Sequence, residues 1–264
     1  VNALRAVFIY EWKRSLTLGR IAWWFAMAAF PVMITILIRV LEEVPELADP
    51  ESRKSIWSVI LFVLIPCVCV SLSVLLTAAP AVASELEQRS WAYVATRPNG
   101  IFWLLVGKYI VSVTWATTAA WLGAVLSVAL CGMNEPARMM LGLMTLSLLA
   151  AQAYSALYIL IGAMFPKRAM VFCMIYTVVV EVVFGSLPAV INRMTIQFRL
   201  RTLFVSWMPL DESIRNEPVF QYVLADGSWL LQCFWLFTLS VVFLVTAIAV
   251  AHRKEFTSAT EGDV

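Results

Sequence analysis

Charge is scarce in this chain of 264 residues: Asp, Glu, Lys and Arg together make up 14%, about half the share usual in soluble domains. Histidine occurs once, as His252, and neither an H-E-x-x-H helix nor a G-x-S-x-G elbow is present, so no catalytic constellation is expected. The net charge of +2 carries no nucleic-acid signature. Of five cysteines, Cys67, Cys69, Cys173 and Cys233 lie in apolar runs and Cys131 ends one, which argues against a disulfide framework. The C-x-C pair Cys67 and Cys69 is a weak hint of soft-metal transport, but no Met or His cluster accompanies it and no metal site is expected. A phosphate loop is missing as well. Gly107 and Lys108 form a G-K pair, yet Phe102 stands where such a loop needs Gly and Tyr109 where it needs Ser or Thr, so this chain is not expected to bind ATP or any other cofactor itself.

What is abundant is apolar: 62% of residues are hydrophobic and the mean hydropathy is +0.85. The chain reads as an all-α integral membrane protein, a single transmembrane domain over 1–264. Six runs carry the spans: Ile21 to Leu41, Ile56 to Ala79, Tyr109 to Leu130, Met139 to Met164, Ala169 to Leu187, and Trp229 to Ala251. At 1.5 Å rise per residue each can cross an apolar core of about 30 Å. Pro31 and Pro66 are expected to kink their spans. No cleavage site of small residues ends the first run, which is read as a retained anchor.

Residues 1–20 mix Leu4, Phe8, Trp12 and Leu16 with Arg5, Lys13, Arg14 and Arg20, the pattern of an interfacial helix or of a basic flank to the first span. Arg89, Arg97, Lys108, Lys167, Arg168, Arg253 and Lys254 fall on the same side if the spans alternate, while Glu42, Glu43, Glu46, Asp49 and Glu51 fall on the other. The positive-inside rule then predicts a multi-pass protein of the cell (inner, cytoplasmic) membrane with both termini cytoplasmic. Lys108 is expected to snorkel to the level of the lipid phosphates.

The long polar interruption runs from Ser84 to Lys108. Ser84 and Glu87 have capping-box spacing, which predicts a helix start at Ser84. Glu85 stands four residues before Arg89, the favoured order for an ion pair, and Leu86, Tyr93 and Val94 fall on one side of the same helix. Thr96 to Gly100 reads as a turn, and a new helix is predicted from Ile101. One cytoplasmic helix over 84–97 is therefore expected.

Two further features stand out. Glu181 is the one carboxylate inside an apolar span; such a group has a specific role or partner, either a structural pairing with a neighbour such as Arg193 or a part in substrate passage. The segment 188–228 alternates Met194, Ile196, Phe198 and Leu200 with Thr195, Gln197, Arg199 and Arg201. It is expected to be interfacial or re-entrant on the outer side, and strand and helix both remain open.

Ser84 to Lys108 resembles the signature of permease subunits in type-2 ABC exporters: an acidic E-x-E-Q stretch, a short helix, a T-x-P turn and G-K at the base of the third span. Glu85, Glu87, Gln88, Thr96, Pro98, Gly107 and Lys108 match that pattern, and the six spans, the N-terminal helix and the outer segment extend it over the chain. Ser90 and Trp91 depart from the Gly-Thr of many relatives. The resemblance implies a dimer with a second permease copy or homologue, the second and fifth spans lining a central path, and separate nucleotide-binding ATPase subunits that supply ATP and Mg. It implies that Glu85, Glu87, Gln88, Arg89 and Trp91 contact the ATPase through a coupling helix, and that the cargo is exported. The apolar lining, with Ser58, Ser71, Ser73, Thr177 and Glu181, suits an amphipathic or lipid-like cargo. The alternatives are a self-sufficient secondary transporter or channel, and a non-transporting membrane scaffold.

Overall fold

The computed structural model describes residues 2–40, 50–132, 136–185, 195–208 and 228–254. Every regular element among them is helical. Five helices are long and apolar enough to cross a membrane: Leu18–Val40, Ser55–Ala81, Gly100–Cys131, Pro136–Met164 and Trp229–Arg253. In chain order the elements are α1 (Asn2–Ser15), α2 (Leu18–Val40), α3 (Pro50–Phe62) continuing through π-helical Val63–Cys69 into α4 (Val70–Ala78), α5 (Ala83–Glu87), α6 (Trp91–Ala95), α7 (Gly100–Cys131), α8 (Pro136–Met164), α9 (Ala169–Ile175) continuing through π-helical Tyr176–Phe184, α10 (Ile196–Trp207) and α11 (Trp229–Arg253). The α9 segment with its π-helical continuation lies in the fifth apolar run of the sequence and is not among these five helices; the end of that run at Leu187 lies outside the described residues.

The bundle is built around α8. In its most apolar stretch 72% of residues are buried, against 22% in α2 and 17% in α11, which lie at the periphery. Small residues let backbones approach in the absence of a hydrophobic drive between helices. A Cβ on Gly162 of α8 would lie 2.5 Å from the Ala79 carbonyl oxygen, and one on Gly123 of α7 would lie 2.9 Å from Cγ of Pro31 in α2. The π-helical turn over Val63–Cys69 contains Pro66, whose missing N–H and bulky ring disfavour regular α-helix there.

α7 has 32 residues, about 48 Å of helix, and so projects well past an apolar core of about 30 Å. Its extra turns precede Tyr109. Asn99 enters it at φ 56° and Gly132 leaves it at φ 63°, left-handed positions that suit these two residue types. Contacts at the helix ends fix the sides of the bundle relative to one another. Arg39 reaches the Leu130 carbonyl, Lys254 the Met164 carbonyl, and Gly162 abuts Ala79. The basic residues from α1, the α5–α6 region, the Lys167–Arg168 turn and the end of α11 thus share one side.

Several expectations are corrected. The single helix over 84–97 is two short helices, because Arg89 adopts φ 55° between them. Ser84 does not cap α5: the residue before that helix is Val82, with no side-chain cap, and the Ser84 hydroxyl instead donates to the Ala81 carbonyl at 3.3 Å. The Glu85–Arg89 pair does not form, since α5 ends at Glu87. Tyr93 is 76% exposed and faces away from Leu86 and Val94, which are half-buried.

Of the segment 188–228, residues 195–208 and 228 are described. Residues 196–207 form α10, a helix and not a strand, packed among α8, α11 and Phe62, whose ring stacks on Phe204 at 4.4 Å. The alternating polar positions of this helix are satisfied within the protein. Arg199 donates to Oε1 of Gln232 at 2.6 Å and lies over the Trp235 ring, Arg201 donates to the Gly185 carbonyl, and Gln197 accepts from Cys67. Met194 and Arg193 lie outside the described residues.

Candidate functional site

α1 ends against α7, and the match is local. Val7 sits over Gly107, where a Cβ would lie 2.8 Å from its Cγ1. Trp12 and Trp115 meet with ring centroids 5.9 Å apart, and the Trp115 indole donates to the Ser15 hydroxyl at 2.8 Å. This docking brings Glu11 and Arg14, one turn apart on α1, to the junction of α5 with the projecting part of α7.

Four charges close into a ring there. Arg14 meets Glu85 at 2.6 Å and Glu85 meets Lys108 at 2.7 Å. Lys108 then lies 3.9 Å from Glu11, and Glu11 lies 3.6 Å from Arg14. Two acids alternate with two bases, so the ring is formally neutral. Ser90 donates to the second oxygen of Glu85, Lys108 donates to the Ser84 hydroxyl at 3.0 Å, and Arg14 donates to Gln88. Glu11, Glu85 and Lys108 are all buried, an arrangement that requires mutual compensation because isolated buried charges are costly.

Burial alone would raise the Glu85 carboxyl. The Lys108 ammonium, with hydrogen bonds from Lys108, Ser90 and Arg14, outweighs it and brings the group down to about 2. Burial likewise works against the Arg14 guanidinium, and its hydrogen bond and attraction to Glu85, then the charge of Glu11, raise it above its ordinary value. Lys108 does not snorkel. It is 8% exposed because its charge is met inside.

The residues predicted to form a contact surface therefore divide. Glu85 and Trp91 face inward, 2% and 8% exposed, while Glu87, Gln88 and Arg89 face outward with Tyr93 and Arg97. Reasoning from sequence missed Glu11 as a partner. Its position as the one acid of α1, on an apolar face, was the available signal.

A second polar centre lies in the bundle. Glu181 is 1% exposed and accepts from the Tyr176 hydroxyl at 2.9 Å and from the backbone N–H groups of Ile196 at 3.2 Å and Gln197 at 2.8 Å. Thr195 caps the same helix by accepting from the Phe198 N–H at 3.2 Å. The first three N–H groups of α10 are thereby satisfied, where a helix start in apolar surroundings has no water to use. Glu181 thus holds the start of α10. The expected partner Arg193 lies outside the described residues.

No protein-family model matches the chain. No curated protein matches it either.

Proposed function

We propose that this chain is the membrane-spanning subunit of an ATP-driven transporter of the type-2 ABC class, working as a dimer with a second copy or a homologous permease in the cell membrane and driven by separate ATPase subunits. The observation that carries the proposal is the neutral ring joining α1, α5 and α7 beneath an exposed face of Glu87, Gln88, Arg89, Tyr93 and Arg97. A push on that face is delivered to a braced unit, and α7, the helix that carries Lys108, runs on as a span. Packed elements braced in this way transmit displacement where a flexible loop would absorb it.

In this reading Glu87, Gln88 and Arg89 touch the ATPase, and Glu85 acts one layer in as a positioning residue that ties the face to α1 and α7. Six spans, counting the α9 segment, cross the membrane with both termini inside. ATP and Mg belong to the partner. The cargo is amphipathic or lipid-like and is exported. A secondary transporter would draw on an intramembrane carboxylate for ion coupling, and Glu181 is already engaged by three donors of the protein.

The test is co-expression with a nucleotide-binding ATPase subunit of the same organism, followed by co-purification and by ATP hydrolysis in reconstituted vesicles. Exchanging Arg89 to Glu together with Tyr93 to Ala is expected to reduce co-purification and stimulated hydrolysis about tenfold or more while leaving thermal unfolding unchanged. Equal co-purification and hydrolysis for the parent and this variant would remove the coupling assignment.

A further inference from the structure

The bundle has a cleft of about 320 Å³ where the start of α2 meets α4 and α7. It is lined by Arg20, Trp23, Trp24, Ser73, Thr77 and Trp115, among others. Neither the charge ring nor the Glu181 centre includes these side chains.

The position of the cleft sets its surroundings. Arg20 is in the first turn of α2, beside the basic residues of α1 and so at headgroup level on that side. Thr77 lies four residues and Ser73 eight residues before Ala81, which ends the second span. The cleft thus extends about 12 Å from the headgroup level into the apolar zone. Its walls are stiff: the Trp24 indole donates to Thr118 at 3.0 Å and the Trp115 indole to Ser15 at 2.8 Å. Trp23, 43% exposed, forms the rim.

The cleft carries a cation at its mouth. Glu11 and Glu85 are matched by Arg14 and Lys108, which leaves Arg20 with no ion pair among the described residues. The Ser73 hydroxyl likewise makes no hydrogen bond among them, although its residue is 7% exposed, whereas Thr77 is engaged with Ser112. A cation at the mouth, a hydroxyl donor inside and indole walls between them match an anionic amphiphile. The volume suits a headgroup and the first methylenes, with longer chains remaining in the bilayer.

We infer that this cleft binds the headgroup of one anionic phospholipid from the leaflet on the side of the basic residues, its phosphodiester on Arg20 and its glycerol region on Ser73. The site depends on the chain lying in a membrane and is independent of what drives transport.

Native mass spectrometry of the full chain released from nanodiscs of mixed phosphatidylcholine and phosphatidylglycerol tests it. The parent is expected to retain one phosphatidylglycerol per chain. Arg20→Gln is expected to lower retention about tenfold, as loss of a hydrogen bond to a charged group implies. Ser73→Phe, which fills the cleft without changing charge, gives a similar loss, and Arg5→Gln, exposed on the same side outside the cleft, leaves retention at the parent level. Unchanged retention in Arg20→Gln or in Ser73→Phe overturns the site. So does an equal fall in Arg5→Gln, which indicates diffuse surface attraction. Displacement of the lipid by an equal concentration of soluble glycerol 3-phosphate would show a free-phosphate site and overturns the lipid assignment.

Discussion

Replacing Glu85 by Gln takes one of two negative charges out of the ring and leaves Arg14 and Lys108 facing Glu11 alone, at 3.6 and 3.9 Å. Removing one partner of a buried pair leaves a desolvated charge behind, an effect on the order of 3 kcal/mol. Thermal unfolding in detergent is expected to shift down accordingly. Adding Lys108→Gln to Glu85→Gln is expected to cost less than the sum of the two single changes, because the second removes the charge the first had stranded; strict additivity would show that the two do not interact. The pH dependence follows from the same carboxyl. Its ordinary value is 4.5 and its folded value about 2, so the folded state favours the ionised form. The stabilisation is complete above 4.5 and is lost as pH falls toward 2. The unfolding midpoint of the parent should decline across that window more steeply than that of Glu85→Gln, and parallel curves would contradict the ring.

At the level of elements, α10 shows how a helix begins inside an apolar bundle. Thr195→Ala removes one cap and is expected to cost about 1 kcal/mol. Glu181→Ala strips acceptors from two N–H groups at once, with a penalty of about 1–3 kcal/mol for each donor left unsatisfied, and should cost more. Hydrogen exchange over residues 195–208 reads both changes. If Glu181→Ala leaves exchange there at the parent rate, the carboxylate does not hold the helix. Part of this was legible in the sequence. Thr195 precedes Ile196, Leu200, Leu203 and Phe204 at helical spacing, a stronger signal than the shorter alternation that kept a strand reading open. Glu181 as its second cap was not legible, since the contact spans 15 and 16 positions. The Ser84 capping box failed for a related reason: its hydroxyl donates to Ala81 and accepts from Lys108, 24 positions away. Five of the six apolar runs were plain, because an apolar stretch long enough to cross a membrane is written locally. Contacts such as Arg14 with Glu85, 71 positions apart, are written nowhere in a local window.

For the whole molecule, the alternation of the helices places Tyr93 and Lys167 on one side and Arg138 and Ser228 on the other. All four are exposed. That arrangement is internal to the protein and becomes a membrane topology only when one side is assigned to the cytoplasm. Arg5, Lys13, Arg14, Arg20, Lys167, Arg168, Arg253 and Lys254 share the side of Tyr93, and such clusters resist translocation when they lie close to spans. Replacing the five cysteines by Ala and returning single cysteines gives the check. Tyr93→Cys and Lys167→Cys should react with an impermeant maleimide only after the cells are opened, and Arg138→Cys and Ser228→Cys should react on intact cells. The inverse pattern would put the exposed Glu87–Arg89 face outside, where no ATPase could reach it, and would end the proposed coupling together with the orientation. Agreement at Tyr93 but not at Lys167 would leave the face inside yet break the antiparallel path of α8. The four positions therefore test the fold and the function through different residues.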